Sequence, residues 1–513
     1  MAETVRLNMN RVEGDLELEV DVDQGRVVDA RCIGTLYRGF EQILLGRDAQ
    51  DPLAITPRIC GICGTAHLYS AVMALEQAFG VPVPANATRI RNLCLMAEEV
   101  QSDCRQTFLM FCTDLARPGY ASIPGYEDTA QAFAPFAGDI FQEAVVNSRD
   151  IIKIVALFGG QWPHSSYMVP GGVTSLFSAR RLMESRALLE NYIRWFETRI
   201  LGGSLEQWQQ VQTYAQFETW LEEKPQAALS LFSRACRHIG LHRVGMGSHY
   251  YLSYGSFPNP QSWSPPYTKR QTLRASGVYD GNLGVVEPFD QSEITEDLSH
   301  AWYHETDPTP KHPWKGETLP KYLPESDRYS WSKAPRYNDR VMQTGPLSQL
   351  LVDGDPFIRA LHGSDKGSAW LRQLSRFQRQ ADTLLKMRQT LNELQQPDNL
   401  NEPYMEPSKI HGDGQGYGLL EAARGSLGHW VKIEQGKISH YQIVTPTAWN
   451  ASPRDVIGRR GHWEESLLGL PMEDADDPIM LGHVIRSHDP CLVCTVHSVN
   501  TGKKYRFTPA GFA

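Results

Sequence analysis

Two Cys-x-x-Cys pairs stand near opposite ends of the chain, "RICGIC" at 58–63 and "DPCLVC" at 489–494. More than 400 residues lie between them, so a ligand common to all four thiols forces both ends of the chain to one point. One such pair closes on a metal from a tight turn, because its two sulfurs converge. Three arrangements use thiols in this way. A redox disulfide of the thioredoxin type needs a single pair, opening a helix after a strand. A structural zinc site takes four thiolates but usually knits a small local domain. A metal held between distant segments of a large enzyme uses both pairs, and soft thiolates select zinc, copper(I), iron or nickel over magnesium or calcium.

The chain has 513 residues, enough for one large core or for about two to three smaller domains. Nine cysteines at irregular spacing do not form a disulfide framework. Cys32, Cys94, Cys112 and Cys236 read as small buried hydrophobes. A net charge of −9, without a long Lys/Arg run, argues against a nucleic-acid surface. The opening "MAETVRLNMN" lacks a basic segment followed by an apolar run, so no secretory leader is expected. No membrane span is expected either, since no stretch of 18 or more apolar residues occurs.

Apolar alternation in "RVEGDLELEVDVDQGRVVDARCIG" predicts two strands joined at "DQG". Helical spacing predicts a helix over 66–79, stopped by Gly80, then helices over 86–116 and 138–157. Residues 175–238 read as helical over most of their length. The Pro-, Gly-, Ser- and aromatic-rich stretch 247–337 predicts loops and short strands. Helix returns at 346–363 and 368–396, strands near 429–444, and a last helix near 475–486. The expected fold class is mainly α with peripheral antiparallel β, an α+β protein with a large helical body.

The flanks of the thiols decide between the three arrangements. "RICGICGTAH" and "DPCLVCTVH" resemble the paired signatures of the nickel–iron hydrogenase large subunit. The resemblance continues through "RVEGDLELEV" (11–20), "YRGFEQILLGRD" (37–48), "WPHSSYMVPGGV" (162–173), "YLSYGSFP" (251–258) and "YSWSKAPRY" (329–337). It then runs on through "EAARGSLGHW" (421–430) and "YQIVTPTAWNASPRD" (441–455). It thus covers essentially the whole chain in order, implying one domain over 1–497 and a C-terminal extension at 498–513. The implied reaction is reversible cleavage of H2 into protons and electrons. By resemblance all four cysteines ligate nickel, Cys60 and Cys491 terminally, while Cys63 and Cys494 also bridge to an iron carrying two cyanides and one carbon monoxide. Electron-rich thiolates suit nickel in several oxidation states, and a terminal thiolate can accept a proton.

The resemblance assigns further residues. Arg424 matches the arginine that lies over the open position between the metals and binds a cyanide, with Asp489 and Asp103 as its carboxylate partners. Around Asp103 the sequence departs from the family pattern, with Cys104 where a histidine is usual; alone, this aspartate would read as an exposed helix residue. Ala423 also stands where many relatives have proline. Thr447 matches the donor to the other cyanide. Glu13 matches the glutamate that takes a proton from a terminal cysteine, on the Cys494 side of the site. Glu41, the Ile443 carbonyl and the His497 imidazole match ligands of a magnesium-type ion far from the nickel, or of another divalent ion. His67, more than His164, is a candidate for the hydrogen-bond network around the metals.

Electrons must leave, and the sequence has no other cysteine grouping for iron–sulfur clusters. An iron–sulfur small subunit is therefore expected as obligate partner, possessing a large apolar interface. Metal-insertion proteins and a maturation protease are implied too, the latter removing the 16 residues from Ser498 to Ala513 after His497. A hydrogen sensor signalling to a kinase is the alternative from another class. Sensors of this family typically end at the final histidine, so the tail "SVNTGKKYRFTPAGFA" favours an uptake enzyme. On the other side, Ile62 and Phe111 are bulky at positions that line the family's gas channel, a trait of sensors and of oxygen-insensitive uptake enzymes. The related quinone-reducing respiratory subunit is rejected, because it lacks the four thiols. The ending "CLVCTVH" resembles the cytoplasmic uptake group, so a cytoplasmic location is expected, or the cytoplasmic face of a membrane through partners.

Overall fold

The computed structural model describes residues 3–175, 178–262, 271–304, 307–406, 408, 410–474 and 477–491. Cys494, His497 and the 498–513 extension lie outside the described residues. Helices build the body, and each sheet among the described residues is small and antiparallel, as the sequence leads one to expect.

The N-terminal sheet has the order β1 (Glu3–Asn8), β2 (Leu16–Asp23) and β3 (Arg26–Gly34). The β2–β3 hairpin turns at Gln24 and Gly25, where "DQG" predicted it; β1 is an added strand. Alternation in β2 turns Leu16, Leu18 and Val20 inward onto Trp463, Leu467, Leu481 and Val484.

Helix α1 (Gly64–Phe79) is buried on nearly every side, and Gly80 ends it in the left-handed conformation. The predicted 86–116 helix is α-helical only over α2 (Ala85–Arg105). A wider turn at Gln106–Phe111 and a tighter one at Cys112–Ala116 follow. The inserted turn rotates the helix face, so that Phe108 and Phe111 both point into the core. Packed against α2 is α3 (Ala369–Leu394), capped by the Ser368 hydroxyl. A second sheet joins β4 (Gly414–Ala422), β5 (Gly425–Glu434) and β6 (Lys437–Val444). The sequence reading reached β5 and β6 but not β4. The last described helix is α4 (Ile479–Ser487).

The missed strand is what fixes the architecture. In the first half of β4 every second residue is glycine, at Gly414, Gly416 and Gly418, and these lie on Ala78, Ala74 and Ser70 of α1. A β-carbon on Gly416 would meet the Ala74 carbonyl oxygen at 2.1 Å, and one on Gly418 would meet the Ser70 carbonyl at 1.9 Å. The match of periods has a simple cause: two strand residues advance roughly 6.6 Å and four helix residues roughly 6 Å. Ser70 closes the contact by donating from Oγ to the Gly418 carbonyl at 2.8 Å.

Below α1 the buried Glu98 of α2 accepts from the Thr65 and Ala66 amides at 2.9 and 3.0 Å. It satisfies donors that every helix start leaves open. Burial is the main cause that lifts its carboxyl to about 7, from an ordinary 4.5.

Two outcomes are expected. Gly416→Ala should lower unfolding free energy by roughly 1–3 kcal/mol, the usual cost of overpacking, read as a fall in the urea midpoint; an unchanged midpoint would contradict the close strand–helix contact. The folded chain holds a proton on Glu98 between about pH 4.5 and 7 that the unfolded chain has released. Its contribution to stability is therefore full below about 4.5 and lost as pH rises through about 7. Glu98→Gln should flatten that part of the wild-type midpoint-against-pH curve, and parallel curves would show that Glu98 titrates normally.

Candidate metal centre

The approach of α1 to β4 is antiparallel: as β4 advances from Gly414 to Gly418, it moves from Ala78 back to Ser70. Continued, the strand arrives at the start of α1, where Cys63 is the residue before the first helical turn. β4 and β5 are joined there by a two-residue turn, since Ala422 pairs with Gly425. Ala423 and Arg424 form its tip. Gly425 has φ of 127° and no room for a side chain, because a β-carbon would lie 2.4 Å from the Thr344 hydroxyl.

The third component comes from the C-terminal end. After α4, Asp489 takes a left-handed backbone, with φ of 58°. The chain then runs alongside the segment after β1: the Glu13 amide donates to the Pro490 carbonyl at 3.0 Å, and Glu13 forms a parallel bridge with Cys491. The sulfurs of Cys60, Cys63 and Cys491 thereby lie within 4.8 Å of one another, all buried. The Cys60 and Cys491 sulfurs are 3.5 Å apart.

The "RICGIC" loop is held from outside by Arg38, which donates to the Ile59 and Arg58 carbonyls at 2.8 Å each. Within it, the Ile62 amide points at the Cys60 sulfur at 3.3 Å, which favours the thiolate. Cys32, Cys94, Cys112 and Cys236 are buried thiols away from this cluster, as their reading as core residues holds. Cys104 is buried as well.

Arg424 reaches Asp489 twice, its Nε lying 3.1 Å from the main-chain oxygen and 3.2 Å from the carboxylate. Burial opposes the guanidinium charge, but Asp489 and the Cys491, Cys60 and Cys63 sulfurs hold its pKa well above the ordinary value. Its Nη1 is a buried donor with no acceptor among the described residues. Thr447 accepts the Cys491 amide at 3.2 Å, so its hydroxyl hydrogen stays available to another acceptor. Glu13 is half-buried, and its carboxyl is raised first by burial and then by Cys60.

Asp103 corrects the expectation from sequence. It does not pair with Arg424; Arg379 takes it in a two-pronged contact, at 2.8 and 2.5 Å, with Arg376 at 3.9 Å. Nor is it an exposed helix aspartate, because α2 is buried on every face at this point. Burial pushes it up to about 6 despite both arginines.

Glu41 and Ile443 do come together, the Ile443 amide donating to the Glu41 carboxylate at 2.8 Å. The sequence reading missed the buried Lys333 beside them, 3.3 Å from Glu41, 3.5 Å from Glu296 and 2.6 Å from the Gln442 side chain. A cavity of about 30 Å³ between Glu41, Glu296, Lys333 and Ile443 has room for an ion or a water. His67 is buried, its pKa lowered to about 4 mainly by burial, and its ring nitrogen lies 3.1 Å from His429. His429 in turn meets the Tyr441 hydroxyl at 2.8 Å. His164 instead meets the Pro57 carbonyl, at 2.9 Å. Glu98 was also missed, since its helix carries other charged residues, Arg89, Arg91 and Glu99 among them, and nothing local marks this one as buried.

The donor set fits a soft metal pair. Three converging buried thiols offer nickel and iron ligands, and the unpaired Arg424 donor suits a small anionic ligand on the metal.

Comparison with known proteins agrees. Residues 38–108 and 137–497 match the family described as nickel-dependent hydrogenase. The periplasmic [NiFeSe] hydrogenase large subunit of Desulfomicrobium baculatum is 33% identical, covering 97% of this chain and 95% of that protein. The uptake hydrogenase large subunit of Bradyrhizobium diazoefficiens is 28% identical, covering 95% and 94%. The structure of the D. baculatum [NiFeSe]-hydrogenase superposes with a TM-score of 0.80 at 30% identity, covering 97% of this chain and all of the other. The fold, the convergent thiols and these matches together place the chain in the nickel-dependent hydrogenase family, as a large subunit of the nickel–iron type.

Proposed function

We propose that this chain is the catalytic subunit of an uptake hydrogenase, oxidising H2 and passing electrons to an iron–sulfur small subunit. The observation that carries it is the meeting of Cys60, Cys63 and Cys491 beneath the Arg424–Asp489 pair. Cys60, Cys63 and Cys491, with Cys494, would hold the nickel and iron. When bound, the nickel–iron centre, with two cyanides and one carbon monoxide on iron, supplies the redox chemistry that polarises H2.

The chain's own groups do the rest. Arg424 stays charged in a dry site, where an oriented guanidinium stabilises developing negative charge far better than water does. Asp489 fixes its direction, and Asp103 acts on it at a distance. Thr447 orients a cyanide with its hydroxyl hydrogen. Glu13, raised by burial and Cys60, sits closer to the working pH than an ordinary carboxylate and relays the proton from a terminal thiol. Glu41, the Ile443 carbonyl and His497 would hold a magnesium-type ion, with Glu296 supplying the second negative charge that lets Lys333 share the pocket.

No helix among the described residues is long and apolar enough to cross a membrane. We place the enzyme in the cytoplasm, or at the cytoplasmic face of a membrane through its partners. Metal-insertion proteins and a maturation protease complete the assembly, the protease removing 498–513. Support for a boundary at His497 comes from the family match, which ends at residue 497. The physical logic is a latch: an attached tail leaves the Cys491–Cys494 segment open to metals, and cleavage lets His497 fold inward. The hydrogen-sensor reading keeps one observation in its favour, the bulk of Ile62 and of the buried Phe111.

Arg424→Lys should retain nickel but lower H2 oxidation by about two orders of magnitude, since lysine is a point charge on a flexible stem. Turnover within about threefold of wild type would remove the catalytic role. Intact-mass measurement of the active large subunit should give a chain ending at His497; an active, nickel-loaded chain still ending at Ala513 would rule out the latch.

A further inference from the structure

Arg424 stands at the tip of a two-residue turn, so a small tilt of the turn swings its guanidinium through a large arc. What holds the tip is a third segment. Arg379 of α3 donates from Nη2 to the Ala423 carbonyl at 2.7 Å, one residue before Arg424. The same guanidinium is locked by Asp103 through Nε and Nη2, at 2.8 and 2.5 Å, and donates from Nη1 to Gln349 at 3.2 Å. One turn earlier on α3, Arg376 donates from Nη1 to the Ser487 carbonyl at 2.7 Å. Ser487 lies two residues before Asp489, the carboxylate that Arg424 meets. Asp103 lies 3.9 Å from Arg376, so one carboxylate stands behind both arginines.

We infer that Arg379 and Arg376, braced by Asp103, are positioning residues that set the separation and aim of the Arg424–Asp489 pair. Each grips a main-chain carbonyl, one on the β4–β5 turn and one at the end of α4, and both grow from one rigid helix. The two halves of the ion pair come from segments 65 residues apart that share no strand pairing. The helix supplies the common reference. Arg379 is buried among Asp103, Gln349 and the Ala423 carbonyl, each of them an acceptor toward it, with the Glu99 carboxylate at 3.5 Å, so the guanidinium has no slack in which to rotate. A lysine keeps the charge but cannot bind Asp103 on two prongs and the carbonyl as well. This assignment rests on the proposed role of Arg424.

The test uses the purified complex of large and small subunits. Two variants are compared with wild type: Arg379→Lys, and the paired Arg379→Met with Asp103→Asn, which removes both buried charges together. Measured are nickel content, the infrared bands of metal-bound carbon monoxide and cyanide, and kcat and KM for H2. Positioning predicts full nickel loading, shifted cyanide bands, and kcat lower by about tenfold or more with KM little changed. Full loading with unshifted bands and kcat within about threefold of wild type would overturn it. Loss of nickel in both variants would overturn it too, assigning the pair to folding alone. Arg424→Lys measured alongside separates the causes. If that variant turns over like wild type, the role of Arg424 falls and the clamp with it; if it is slow while Arg379→Lys is normal, only the clamp falls.

Discussion

Everything at the metal centre depends on the contact between β4 and α1. A strand normally stands off a helix by the thickness of two side chains, but three alternate glycines bring this backbone directly onto the turns at Ser70, Ala74 and Ala78. The antiparallel approach then gives both elements a common end. α1 begins directly after Cys63, and the strand finishes in the turn that carries Arg424. Moving the strand along the helix would require a different set of glycines, so sterics fix where the turn that carries the guanidinium stands.

Charge is the second constraint, and it sits in an unusual place. Helices α2 and α3 carry Arg91, Glu98, Glu99, Asp103, Arg376 and Arg379 in the interior. An unpaired ion at such depth costs several kcal/mol. Each is met: Arg91 by Glu76 at 2.7 Å, Glu99 by Arg274 at 2.9 Å, Asp103 by Arg379, Arg376 by Asp103 at 3.9 Å and the Ser487 carbonyl at 2.7 Å, and Glu98 by two helix amides. Replacing such pairs by apolar residues often loses no stability. Their use here is directional. Arg91 also ties down the Val169 and Gly172 carbonyls, as Arg379 ties Ala423 and Arg376 ties Ser487. Arg379 and Arg376 thus act as cross-braces between main chains that no sheet joins, while Arg91 pins a hairpin already paired at Val169 and Gly172 to α2.

The ends of the chain meet for a related reason. The segment after β1 and the one after α4 pair through Glu13, Pro490 and Cys491, while the sheet whose strands β1 and β2 flank Glu13 packs its apolar face on α4. The proton-relay candidate and one thiol are thus delivered by a single junction. Burying that junction raises the carboxyl of Glu13.

The sequence by itself determined the chemistry and the outline. Four thiols in two pairs, with their flanks, specified a soft-metal enzyme of one family, and periodicity placed the long helices to within a few residues. The core reading of Cys32, Cys94, Cys112 and Cys236 followed from composition alone. Contacts decided the remainder. The strand at 414–422 escaped notice because alternating glycines carry no hydrophobic signal; they mark a close approach only once the partner helix is known. Lys333 and Glu98 looked like ordinary charged residues, since nothing local distinguishes a solvated charge from one paired across more than thirty positions. Asp103 was named for the right neighbourhood and the wrong partner. Which arginine a buried aspartate meets is fixed by how α2 and α3 pack, a long-range geometry that no local spacing encodes.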